Sequence, residues 1–394
     1  MSKLKYTFIL LLISTFGFAQ GIEFRTGNWE EIKAMAKAEN KLIFFDAYTS
    51  WCGPCKWMDK NTFQDKETGE FYNKNVIAYK QDMEKGEGPV LLKKFGITQF
   101  PTYLFIDANE NVVHRGSGAK EPEPFIEFAK QALDPKMSLV GLKAQYEDGN
   151  REPAFIRQYL YALRDANERS KEIVDWYFNY TSDKELLTAE NYEFIKKMAG
   201  DPGHPKFAIL EQNRSVYEQL VGADEVKKTL SDAYYTYLIM SIYSGKVEKW
   251  EQAKTRVKES GFEEADKLIR KASIYYYQQT KQWVDYVTVV DETINKDGMS
   301  AGDMGYYALQ VANNDDIQGK EQLKLGMDWA NGSVKSQSNY RNNYAKAAML
   351  YKMGKSKQAL KTAEVALSLA TDEEKEKSWT KPTIDLIEKI KSSK

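Results

Sequence analysis

The sequence predicts an α/β domain followed by a larger all-α domain of helical hairpins. Three observations carry this. Residues 22–134 alternate short apolar runs with stretches of helical spacing. From about Ser138 the strand-like runs largely vanish and helical spacing dominates. The length, 394 residues, is too great for one average core and suggests two or three units at roughly 150 residues per domain. The expected boundaries are 1–19 for a leader, 20–135 for the α/β domain and 136–394 for the helical one.

In chain order, Trp29 to Asn40 has helical spacing, with Asn28 placed to cap it. Leu42-Ile43-Phe44-Phe45 is a continuous apolar run, the signature of a strand buried on both faces. Cys52 to Phe63 follows as a helix. Val76 to Tyr79 is a second central strand and Pro89 to Phe95 a short helix. Thr102 to Ile106 is a strand, and the polar turn Asp107–Asn111 leads into a returning strand that begins at Val112. Pro124 to Leu133 closes the unit as a helix, with a proline suited to its first turn. Beyond Ser138 the helices are punctuated by turns such as 148–150, 200–203 and Ser260-Gly261. Asn343 to Ala370 places Ala347, Gly354, Ala359, Ala366 and Leu367 at the offsets of a tetratricopeptide helix pair, with weaker echoes at 275–294 and 306–329. An irregular helical bundle fits that stretch as well. The tyrosine runs at 234–235 and 275–277 read as packing between helices, and the Lys/Glu clusters near the C-terminus as a solvated helix face.

Lys3 and Lys5, the apolar run to Phe18, and Gly17-Phe18-Ala19 form the pattern of a secretory signal peptide cleaved after Ala19 or Gln20. The run is shorter than the ~20 residues that span a bilayer. An exported soluble protein, periplasmic or secreted and without a stable membrane span after cleavage, is the expectation. Lys+Arg (56) and Asp+Glu (57) nearly cancel, so no excess of cations exists to neutralise phosphates and nucleic acid is not an expected partner.

Only two cysteines are present, Cys52 and Cys55, in Trp51-Cys52-Gly53-Pro54-Cys55-Lys56. A disulfide closing so short a loop restrains little of the unfolded chain, so it is a poor staple and a better redox switch. Tetrahedral zinc needs four ligands, and the histidines, His114 and His204, fall in different expected domains. No cofactor beyond the dithiol is expected. Two intervening residues bring both sulfurs to the first turn of a helix, whose unpaired N–H groups and dipole stabilise a thiolate at Cys52 below the free value of ~8.5. An exposed Cys52 thiolate would attack a substrate disulfide, and Cys55 would resolve the mixed disulfide. Pro54 is tolerated in a first turn, and Gly53 leaves room for a substrate.

This motif and its surroundings resemble the thioredoxin family across residues 22–134. The resemblance implies a thioredoxin fold and further site residues. Asp46, six residues before Cys52, would be the buried acid that accepts the Cys55 proton. Lys80 on the next strand would partner it. Phe100-Pro101-Thr102 would be the cis-proline loop that faces the dithiol and binds substrate with Trp51. The longer stretch from Asn61 to Gly88 is similar to the exported subgroup that includes the C-terminal domain of DsbD. Plainer readings stand beside these: Asp46 as a surface acid, Lys80 as a strand-edge lysine, Trp51 as packing and Pro101 as a loop end.

The function expected is an exported thiol:disulfide oxidoreductase that reduces or isomerises protein disulfides, drawing on a membrane or soluble electron donor. The helical domain would bind a partner or substrate. The alternative is a helical peptide-binding scaffold carrying an accessory thioredoxin unit.

Overall fold

The computed structural model describes residues 21–168 and 170–392; the expected signal peptide lies outside them. The first unit contains α1 (Trp29–Glu39), β1 (Leu42–Tyr48), α2 (Gly53–Lys60), a 3₁₀ turn (Thr62–Gln64), α3 (Lys66–Asn75), β2 (Val76–Asp82), α4 (Gly88–Lys94), β3 (Thr102–Ile106), β4 (Val112–Ser117) and α5 (Pro122–Leu133). Asn28 caps α1, its side chain accepting from the Glu31 N–H while Glu31 reaches back. Helix α3 was not expected. Asp65 caps it by accepting from the Thr68 N–H, a local signal present in the sequence. Helix α5 starts two residues earlier than expected, with Pro122 in its first turn.

The sheet order is β2-β1-β3-β4, with β1 parallel to β2 and antiparallel to β3, and β3 antiparallel to β4. Because side chains alternate across a strand, β1 divides its residues between two cores. Ile43, Phe45 and Ala47 meet Trp29, Ile32 and Ala36 of α1 and Leu91 of α4. Phe44 faces the other way, onto Met58 of α2, Tyr72 of α3 and Phe125 of α5. Asp46 shares the parity of Phe44, so the fold aims it under α2, the helix that carries the cysteines.

Structure becomes all-helical after β4, yet the compact units divide between Ser182 and Asp183 rather than at 135/136. Helices α6 (Leu139–Glu147) and α7 (Pro153–Asp165) pack against β4, and α8 (Lys171–Tyr180) follows. Strand β4 is a sheet edge, and covering an edge protects its unpaired backbone groups. The Leu139 N–H donates to His114 Nδ1 at 2.9 Å, and the Ser117 hydroxyl donates to the Asp165 carbonyl at 3.0 Å. Burial holds the His114 imidazole down at about 4, with Asp165 opposing that shift.

The second unit, from Asp183, is helical throughout its described residues. Its tyrosines pack as expected: Tyr276 stacks on Trp250 at 4.8 Å, and buried Tyr234 bonds Glu211. The helices Tyr340–Lys352 and Ser356–Ser368 form a hairpin. Gly354 turns it at φ +74°, a left-handed conformation that favours glycine, and Ala347, Ala359 and Ala366 are fully buried. Among the described residues no helix is long and apolar enough to cross a membrane.

Candidate active site at the Cys52–Cys55 pair

Strand β1 ends at Tyr48, and a short turn delivers Cys52 to the N-cap of α2. Its sulfur accepts from the Cys55 N–H at 3.1 Å, so one of the helix's free first-turn donors is already aimed at it. Pro54 occupies the first turn, where no acceptor awaits an N–H. Cys52 and Cys55 are joined in a disulfide, their Cα atoms 5.3 Å apart. In the reduced state the same N–H and the helix dipole favour a thiolate at Cys52.

The exposed outer cysteine expected from the sequence is not found in the disulfide form. Cys52 is 4% exposed and Cys55 3%. The surface is made by their neighbours: Trp51, Gly53 and Pro54 are exposed, and a Cβ added at Gly53 would touch nothing within 4 Å. Open space therefore lies beside the outer sulfur's own chain segment. Trp51 is held from two sides. Its indole N–H donates to Glu84 at 2.9 Å, and its ring meets that of Phe100 edge-on at 6.0 Å. The bond between Phe100 and Pro101 is cis, as the resemblance implies. Glu84 comes from the lengthened loop after β2, a contact no short-range pattern announces.

Asp46 is 2% exposed, which removes its reading as a surface acid. One carboxyl oxygen, Oδ1, has no hydrogen-bond partner among the described residues. Burial pushes its carboxyl up to about 7; the Lys80 charge opposes this and the Asp59 charge adds to it. An acid with a midpoint near neutrality can take up and return a proton. Lys80 stands opposite Asp46 in the β1–β2 register, but its ammonium pairs with Asp59 on α2 instead and lies 4.6 Å over the Tyr48 ring. The expected Lys80–Asp46 pair is thus an electrostatic neighbour and not a bonded one. Asp59 was missed by sequence reasoning, although it follows Cys55 by four residues and so shares its helix face. On the other flank of Asp46, in the β1–β3 register, stands Tyr103, fully buried.

The family profile described as Thioredoxin-like matches residues 25–108. Thioredoxin-1 of Drosophila melanogaster is 31% identical over 80 residues, which is 20% of this chain and 70% of that protein. The thiol:disulfide interchange protein DsbD of Yersinia pestis (strain Pestoides F) is 32% identical over 96 residues, 24% of this chain. The chain spans only 16% of the length of that relative. A solution structure from Bacteroides thetaiotaomicron, of a protein taken for a disulphide-isomerase, is 40% identical over 29% of this chain and 96% of its own, with a TM-score of 0.28. Through its N-terminal α/β unit, this chain belongs to the thioredoxin-like family.

Proposed function

We propose that the protein is a thiol:disulfide oxidoreductase that reduces or isomerises disulfides of exported proteins. The observation that carries this reading is the seat of Cys52: the cap of a helix, bonded to Cys55, with the Cys55 N–H on its sulfur. In the reduced enzyme the Cys52 thiolate attacks one sulfur of a client disulfide, and the other client sulfur leaves as a thiolate. Cys55 then gives its proton to the Asp46 carboxylate and attacks Cys52, and the second client sulfur leaves. Two electrons pass to the client, whose thiolates are protonated, and Cys52–Cys55 is left oxidised. A dithiol donor must re-reduce it. The Gly-Pro pair between the cysteines favours reduction, and relatives named for thiol:disulfide interchange support the exchange chemistry itself. The expected potential lies nearer the about −270 mV of thioredoxin than the about −120 mV of DsbA.

Trp51, Gly53, Pro54, Phe100 and Pro101 would form the client-binding rim. The helical half, which we read as tetratricopeptide-like toward its end, would hold clients close and raise their effective concentration at the dithiol. The leader at 1–19 would export the chain. The test is insulin reduction with a chemical dithiol donor. Cys52→Ser must abolish turnover; wild-type turnover in that variant would refute the reading.

A further inference from the structure

Among the described residues of the first unit, Tyr103 is the one fully buried tyrosine whose hydroxyl the fold leaves unpaired. Several other buried phenols are served. The Tyr72 hydroxyl, packed from α3 against the same face of the sheet, donates to the Phe125 carbonyl at 2.9 Å. Those of Tyr192, Tyr217 and Tyr234 bond Thr229, the Leu186 carbonyl and Glu211. Tyr103 is 0% exposed, and its hydroxyl has no partner among the described residues. Its ring packs on Phe125 at 5.1 Å and on Phe44 at 6.0 Å, contacts that phenylalanine would make equally well. The hydroxyl adds nothing to that packing, and a buried polar group left unpaired is costly.

Its neighbour has the same defect. Asp46 stands directly opposite Tyr103 in the antiparallel β1–β3 register, and directly opposed side chains lie on one face with Cβ atoms roughly 5 Å apart. Asp46 Oδ1 is likewise buried and unpaired. One orphan is a donor, the other an acceptor. We propose that Tyr103 is a positioning residue for Asp46: in the disulfide form both groups stand unpaired, and once the dithiol is reduced the Tyr103 hydroxyl donates to the carboxylate, holding that acid ionised to receive the Cys55 proton. This rests on the oxidoreductase reading above. The other charged groups facing Asp46 are Lys80 from β2 and Asp59 from α2, and these two are already paired with each other. That pairing leaves Tyr103, directly across the register, as an uncommitted donor beside the acid. The electrostatic influence of Asp46 on the Tyr103 phenol agrees with their proximity.

The experiment is Tyr103→Phe, which removes one oxygen and keeps the ring. The Asp46 midpoint is read by carboxyl carbon NMR in the reduced, full-length protein, a measurement that needs no client, with the disulfide form, in which neither group is paired, as the control. Loss of a donor to a carboxylate raises the midpoint by about one pH unit. In the reduced protein the acidic limb of the mixed-disulfide resolution rate should move up by the same amount. With Asp46→Asn in place, Tyr103→Phe should change that rate no further. An Asp46 midpoint that stays within about 0.2 units of wild type, in a variant whose melting temperature is unchanged, overturns the proposal. So does an effect on resolution that persists with Asp46→Asn, because the hydroxyl would then act elsewhere. A wild-type protein inert toward insulin would instead refute the function, while the NMR shift would still decide the pairing.

Discussion

Replacing Asp46 by asparagine should make the first unit more stable, increasingly so as pH rises. The carboxyl is buried and its midpoint lies at about 7, against an ordinary 3.8. An acid whose midpoint is raised by folding favours the folded state only while protonated. Its contribution is fully present below about 3.8 and is lost as pH climbs through about 7, because the unfolded chain ionises first. A rise of about three pH units at about 1.36 kcal/mol each gives a penalty of about 4 kcal/mol above neutrality. Asp46→Asn escapes it, having no charge to bury. The assay is urea unfolding of the oxidised protein at pH 4, 5, 6, 7 and 8. Pulsed hydrogen exchange on the peptide covering β1 separates this unit from the helical one. The stability difference between variant and wild type should widen by about 1.4 kcal/mol per pH unit between about 4 and 7 and then level off. A difference that stays flat from pH 4 to 8 would show that the carboxyl is not buried as an acid, and the proton-acceptor role would go with it.

His114 works in the opposite sense. Its midpoint is held down at about 4, so the stability of burying it neutral is present above about 6.5 and is lost as pH falls toward about 4. His114→Gln, which keeps an acceptor for the Leu139 N–H, should remove that acid sensitivity, worth about 3 kcal/mol by pH 4, in unfolding measured against pH. Cys55→Ala should accumulate client proteins on Cys52, visible as dithiothreitol-sensitive adducts on non-reducing gels, where wild type shows none. Gly69→Ala should destabilise the first unit by about 1–3 kcal/mol, since its Cβ would fall 2.4 Å from the Gly21 backbone; unchanged urea unfolding would contradict that close approach.

Much of the site was legible because it is written in neighbouring residues. The helix cap at Cys52, the first-turn Pro54 and the strand feeding them depend on spacings of a few positions, and such local preferences survive folding. The α1 cap at Asn28 is of the same kind, whereas the cis bond before Pro101 was implied by the resemblance to the thioredoxin family. The helical hairpin at Gly354 was readable from small residues at regular offsets. What escaped was set by pairing across the sequence. Lys80 had two acids within reach, and the choice of Asp59 over Asp46 depended on how α2 lies over the sheet. The loop that brings Glu84 to Trp51 has no periodicity to betray it. Helices α6 and α7 look like the rest of the helical region, yet they pack on β4 because a sheet edge is there to be covered.

By itself, then, the chain's order of residues carried the Cys52–Cys55 motif, and its resemblance to the thioredoxin family pointed to a carboxyl on the strand before it and a proline loop after it. Tertiary structure alone decided the environment of those atoms. It put Asp46 on the α2 side of the sheet, set Tyr103 opposite it, turned Lys80 away to Asp59, and left both cysteines almost wholly buried. The reason is physical. Bond-level preferences act over a turn or a strand, whereas burial and register are properties of surfaces that meet only after folding, and burial is what moves a carboxyl from its ordinary value to about 7.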